Sequence, residues 1–215
     1  MNDLVSDAVR NIESIFGGLL IGFAFGSVPF GYLLVRLKTG GDVRRSGSGN
    51  IGATNVGRAL GVWGGTVTLA LDAAKGAAGA YAAGYVGAAV AGTDSLPWAA
   101  AGALGAVLGH CYTPWLRLRG GKGVATWLGA FGLIAPSATA IALAVLVMVL
   151  GATRMMSLAS LSASLVLPAA AWWLGSPGVT VAATMLAALI IVWRHRANIV
   201  RIVRGQERRL GKAQA

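Results

Sequence analysis

The chain has 215 residues, of which 56% are hydrophobic and only 12% are charged. A soluble globular domain carries about 25% charged residues, so the composition excludes an ordinary water-soluble fold. The formal net charge of +11 raises nucleic acid as a partner. The basic residues, however, stand at the ends of apolar runs, where membrane topology puts them, and no nucleic-acid partner is expected.

Taken in chain order, uncharged runs occupy residues 14–35, 59–71, 76–93, 95–115, 123–153 and 155–193. Apolar stretches of about 18 residues or more read as membrane spans. The expected fold class is therefore all-α: a polytopic membrane protein, with a single domain over residues 1–215. The first run is too long for a signal-peptide core and follows Asp3, Asp7 and Glu13, so no cleavable leader is read. The lone cysteine, Cys111, excludes an internal disulfide and any multi-cysteine metal site. It reads as a small buried apolar residue.

The basic residues define the threading. Arg36, Lys38, Arg44, Arg45 and Arg58 fall in one segment, and Arg117, Arg119 and Lys122 in another. Arg154 stands alone, and Arg194, Arg196, Arg201, Arg204, Arg208, Arg209 and Lys212 crowd the C-terminal segment. All four belong on the cytoplasmic side. Parity then requires hairpins in 123–153, bending at Ala135-Pro136, and in 155–193, turning at Gly175-Ser176-Pro177-Gly178. The result is about seven crossings, N-terminus outside and C-terminus cytoplasmic. The first arm of 123–153, roughly 13 residues or about 20 Å of helix, is short for a hydrocarbon core. The run 59–93 is too long for one span, so a half-helix is expected at its start.

Polar clusters fall on that one face. In "RSGSGNIGATNVGR" (45–58), the backbone N–H groups of a loop containing Gly47, Ser48 and Gly49 can hold an anion at a helix start. Thr54 or Asn55 is placed to cap a helix beginning near Val56, with Arg58 one turn in. Gly47, Gly49 and Gly52 satisfy G-x-G-x-x-G, yet the preceding strand of a dinucleotide fold is missing. "RGGKGVAT" (119–126) fails as a phosphate loop of the Walker type, since Gly123 follows Lys122. Gly120, Gly121 and Gly123 there let a ligand reach the backbone beside the Lys122 charge. In "WRHRANIVRIVRGQE" (193–207), His195, Asn198 and Arg201 lie along one helix face, and the arginines suit anionic membrane lipids. His110 reads as a satisfied core residue or a helix–helix contact. Asp72 and Lys75, at i, i+3 inside an apolar stretch, read as a mutual pair or as struts for the 46–58 loop, with a proton or ion path as the functional rival.

"SGSGNIGATNVGR", "HCYTPWLRLRGGKGVAT" and "RHRANIVRIVRGQE", in this order, resemble the bacterial acyl-phosphate:glycerol-3-phosphate acyltransferase family (PlsY). "GSVPFGYLL", "LDAAKG" and "SLAS" resemble it too, so the likeness runs from about Gly26 to Glu207. It implies a seven-helix enzyme of the bacterial inner membrane that starts phospholipid synthesis. A fatty acyl group would pass from acyl phosphate to the sn-1 hydroxyl of glycerol 3-phosphate, giving lysophosphatidic acid and phosphate. Neither acyl-CoA nor acyl carrier protein would be the direct donor, and no cofactor or metal is implied. By the same resemblance, Ser48, Asn50, Thr54, Arg58 and Lys122 bind phosphate groups, while Ser157, His195 and Asn198 hold the glycerol phosphate and its attacking hydroxyl. A transporter of a phosphate-containing solute is the competing reading.

Overall fold

Pro29 interrupts what hydropathy presents as one run. Lacking an N–H, it cannot join a helical ladder, and the run divides into α1 (Asn2–Gly26) and α2 (Phe30–Thr39) around Ser27-Val28-Pro29. The run 14–35, expected to cross once, is thus built from two helices within one candidate span, Ile12–Thr39. The computed structural model describes the backbone of residues 2–211 and the side chains of residues 12–211. The side chains of Asp3 and Asp7, and all of Lys212, lie outside the described residues. All regular structure among the described residues is helical, and the chain forms two compact units, Met1–Ile134 and Ala135–Ala215.

The first unit continues with α3 (Ala53–Tyr85), α4 (Ser95–Cys111) and α5 (Val124–Ile134). Helix α3 contains a break at Gly61, whose φ of 76° is left-handed. A short helical piece therefore precedes the long arm, but it lies at 53–60, ahead of the run 59–93 and not at its start, where a half-helix was expected. Helix α1 packs on α4 through small residues. Gly18, Gly22 and Gly26 repeat every fourth position, and a Cβ on Gly22 or Gly26 would run into the Gly102 or Ala106 carbonyl. Such stripes let helix backbones touch where hydrocarbon gives no hydrophobic drive for association. Gly76 of α3 and Gly129 of α5 play the same part, against the Thr126 and Ala73 carbonyls. Cys111 is fully buried, in keeping with its apolar reading.

The second unit comprises α6 (Pro136–Thr153), α7 (Met156–Trp173), α8 (Gly178–Arg194) and α9 (Arg196–Val203). The break between α5 and α6 at Ala135-Pro136 and the turn at 175–178 fall where expected. Helices α8 and α9 meet at His195 with a bend of 62°. The segment after α9 folds back, and the Leu210 N–H donates to the Arg154 carbonyl at 2.8 Å.

The runs expected to cross a membrane correspond to α1 with α2, then α3, α4, α5, α6, α7 and α8. Among the described residues, Ile12–Thr39, Pro136–Thr153 and Met156–Trp173 are long and apolar enough to span, and α8 with α9 forms a bent fourth candidate. Helix α3 carries the Asp72 and Lys75 charges, while α4 and α5 have 17 and 11 residues.

Candidate active site

The loop between α2 and α3 is built around one side chain. Asn55 is 2% exposed, and its amide nitrogen lies 3.0, 3.1 and 2.8 Å from the carbonyl oxygens of Val43, Ser46 and Asn50. Its Oδ1 accepts the Ser48 N–H at 2.9 Å. The helix-capping role expected of Thr54 or Asn55 is corrected: α3 begins at Ala53 with Gly52 at its N-cap, and no side chain caps it. Asn55 lies inside the first turn and folds back, because the curled loop offers it a ring of carbonyls.

Gly47 and Gly49 have φ of 56° and 69°, a backbone region that glycine enters without steric cost. A Cβ on Gly47 would also strike Asn55 Oδ1. Asn50 closes a local turn by accepting the Gly52 N–H at 2.8 Å. The Ala53 and Thr54 N–H groups have no acceptor four residues back within the helix, as at any helix start. Ser48 and Arg58 are exposed, and the Arg58 stem passes near Gly47.

The loop's entry is fixed by Asp42, which accepts the Arg44 backbone N–H at 2.9 Å and pairs with its guanidinium at 2.7 Å. Hydrogen bonding to Arg44 holds the Asp42 carboxyl below its ordinary value. Beneath the loop, Val35, Val43, Ile51, Val56 and Leu116 form a buried apolar cluster. Leu116 belongs to the α4–α5 connection, so the same cluster anchors both polar segments of this unit.

That connection carries Lys122, which is half-buried. Gly120 and Gly121 are buried, and their N–H groups donate to the Cys111 and His110 carbonyls at 3.2 and 3.0 Å. Both glycines serve packing, whatever they offer a ligand. They are glycine because the returning strand of chain lies directly on the end of α4, where a Cβ would collide with backbone or with the His110 ring. Gly123, at φ 88°, turns the chain into α5.

In the second unit, the structure gathers residues around Glu207. Ser157 Oγ and Asn198 Nδ2 both donate to Glu207 Oε1, at 2.9 and 2.7 Å. Arg201 Nε donates to Oε2 at 2.8 Å. Burial pushes the Glu207 carboxyl up, but the hydrogen bonds from Asn198, Ser157 and Arg201 outweigh it, and its pKa lies below the ordinary value. Sequence reasoning gave Glu207 no role. One signal was available: it is the only acidic residue after Asp94. His195, 1% exposed, holds its Nδ1 on the Ile191 carbonyl at 2.8 Å. A carbonyl only accepts, so Nδ1 carries the proton and Nε2 is the basic nitrogen of the neutral ring.

Asp72 and Lys75 do pair, at 2.8 Å. They do not reach the 46–58 loop; Lys75 instead donates to the Val28 carbonyl at 2.7 Å. His110 makes the helix–helix contact expected of it, 3.6 Å from Asp72.

A family model described as glycerol-3-phosphate acyltransferase matches residues 16–205. The glycerol-3-phosphate acyltransferase of Erythrobacter litoralis (strain HTCC2594) is 47% identical over 193 residues, covering 89% of this chain and 93% of its own. That of Anaeromyxobacter sp. (strain K) is 43% identical over 200 residues, covering 91% and 98%. The crystal structure of PlsY (YgiH), an integral membrane glycerol 3-phosphate acyltransferase in its glycerol 3-phosphate form, is similar with a TM-score of 0.82 and 33% identity. It covers 92% of this chain and 96% of its own. The lysophosphatidic acid form of PlsY gives 0.80 and 32%. This all-α chain is an integral membrane protein belonging to the glycerol-3-phosphate acyltransferase family.

Proposed function

We propose that the chain transfers a fatty acyl group from acyl phosphate to the sn-1 hydroxyl of glycerol 3-phosphate, releasing lysophosphatidic acid and inorganic phosphate. Family membership supports the acceptor, and the solved relatives are described in glycerol 3-phosphate and lysophosphatidic acid forms. The observation that carries the phosphate chemistry is the Asn55-braced loop. It holds Ser48, Asn50 and the Ala53 and Thr54 N–H groups in one fixed curl at a helix start, where an anion is favoured. Arg58 and Lys122 add the cationic charge for the phosphates of the two substrates, with Gly47 and Gly49 allowing the curl.

Transfer is direct. The glycerol hydroxyl oxygen bonds to the acyl carbonyl carbon, the carbonyl–phosphate C–O bond breaks, and phosphate leaves with the electron pair. A mixed anhydride is already activated, so no acyl-enzyme is required; orienting two bound reactants supplies several kcal/mol, of order 7–11 at best. The hydroxyl proton passes to His195 Nε2 or to the departing phosphate. Ser157 and Asn198, fixed by Glu207, orient the acceptor. The exposed arginines of the C-terminal segment sit against anionic lipid headgroups. The proposed topology is seven crossings in the bacterial cytoplasmic membrane, N-terminus outside, with the active site facing the cytoplasm.

The test is purified protein given acyl phosphate and glycerol 3-phosphate, scored for phosphate release and lysophosphatidate, with and without chelator. Acyl-CoA and acyl carrier protein thioesters serve as rival donors. Product from acyl phosphate alone among the donors supports the reading. Turnover of a thioester, a trapped acyl-protein, or flux of glycerol 3-phosphate into vesicles without acyl product overturns it.

A further inference from the structure

Charged side chains inside an apolar helix bundle are costly and call for an explanation. Asp72 and Lys75 of α3 and His110 of α4 are 2%, 5% and 4% exposed. A buried ion pair is weak evidence for stability, since apolar replacements of similar volume often do as well. What such a pair does supply is a fixed direction. Here the directions are specific.

Lys75 Nζ reaches Asp72 Oδ1 at 2.8 Å and the Val28 carbonyl at 2.7 Å, with the Phe30 ring centroid 5.7 Å away. It thereby pins the break between α1 and α2. From α4 and the residues after it, Thr113 Oγ1 donates to the Ser27 carbonyl at 2.6 Å, and Trp115 Nε1 to Ser27 Oγ at 3.2 Å. The break is held from both sides. Asp72 also faces the His110 ring, Nδ1 at 3.6 Å. The other ring nitrogen of His110 packs on Gly121 so closely that a Cβ there would overlap it, and the His110 carbonyl takes the Gly121 N–H at 3.0 Å.

Lys122 is the next residue. Downstream, α5 is seated on the same stretch of α3, with Gly76 beside Lys75 against the Thr126 carbonyl and Gly129 against the Ala73 carbonyl, next to Asp72. Both ends of the short segment bearing Lys122 are thus referenced to one turn of α3.

We infer that Asp72, Lys75 and His110 form a buried polar clamp that sets the position of Lys122, and that they act on the reaction as positioning residues through it. This rests on the proposed phosphate-binding role of Lys122. The clamp is a contiguous chain of contacts from an intramembrane ion pair to a half-buried cation, all within the first unit. Its chemistry explains why the pair is ionic and not apolar: an apolar replacement fills the space but aims neither the His110 ring nor the Val28 carbonyl.

The experiment is a double-mutant cycle between His110→Ala and Lys122→Ala, reading KM for each substrate, kcat and the thermal midpoint in detergent. Each single variant should raise KM for the same substrate by about tenfold, within the range of coupled neighbours, with little change in kcat. The double variant should be no worse than Lys122→Ala by more than about twofold, the scatter expected of uncoupled sites. Losses that multiply, or a kcat loss with KM unchanged, overturn the clamp. If Lys122→Ala leaves KM unchanged while the enzyme still turns over, the role of Lys122 itself fails and the inference falls with it. Asp72→Asn combined with Lys75→Met, which removes both charges at similar volume, carries the same cycle should His110→Ala not fold. In that cycle too, multiplying losses overturn the clamp.

Discussion

Asn198 donates to the Glu207 carboxylate at 2.7 Å, on the same oxygen that Ser157 uses. Two side chains from different helices thereby share one acceptor, and Arg201 neutralises the other oxygen. With Asn198 and Arg201 oriented as they are, a glutamine at 207 sets a donor against a donor at one end of its amide. Glu207→Gln should cost about 1–3 kcal/mol, the range for an unsatisfied buried group, and reduce turnover at least about tenfold through misplacement of Asn198. Thermal melting in detergent and the acyl-transfer assay check both; an unchanged melt and rate would sink the argument.

The same carboxyl predicts a pH dependence. Its folded pKa is depressed below the ordinary 4.5, so it stabilises the fold above that value, and the contribution disappears as pH falls through the folded pKa. Wild-type melting temperature should therefore drop on acidification below that range. Glu207→Gln should show a shallower drop, leaving the part due to Asp42, which is depressed in the same sense. Parallel acid profiles for the two proteins would refute the assignment.

Asn55→Asp keeps the acceptor for the Ser48 N–H but puts a buried carboxylate among the carbonyls of Val43, Ser46 and Asn50. A loss of at least about 1–3 kcal/mol is expected. It should be accompanied by faster amide exchange across residues 46–52 and a raised KM for a phosphate-bearing substrate. Unaltered exchange in that loop would show that Asn55 does not brace it.

His195→Ala addresses the base. General-base work is typically worth about 10²–10⁴ in rate, and the expected kcat loss is at least about 100-fold. His195→Asn, whose amide can renew the bond to the Ile191 carbonyl, should restore the fold but not the rate. A residual rate within about tenfold of wild type would assign the proton to the departing phosphate.

Gly22→Ala tests helix packing. The new methyl meets the Gly102 carbonyl, and overpacking of this kind costs about 1–3 kcal/mol. Gly151→Ala, at a helical position with nothing within 4 Å, should be neutral or stabilising by up to about 1 kcal/mol. Equal melting temperatures for the two variants would contradict the α1–α4 contact.

Much was legible in the chain itself, for a physical reason: hydropathy, proline and glycine act locally. The helix break at Pro136, the turn at 175–178 and the Asp72–Lys75 pair are each properties of a few neighbouring residues. The family likeness also lay in contiguous motifs. Partners distant along the chain were not legible. Ser157 and Glu207 are 50 positions apart, and only the fold-back after α9 makes the carboxylate a common acceptor. That Gly120 and Gly121 pack against the end of α4 is likewise set by the tertiary structure. Asn55 looked like a cap until the loop presented it with three carbonyls. A side chain's hydrogen-bonding capacity is written in its identity, but its use depends on which backbone the tertiary structure brings within about 3 Å of it.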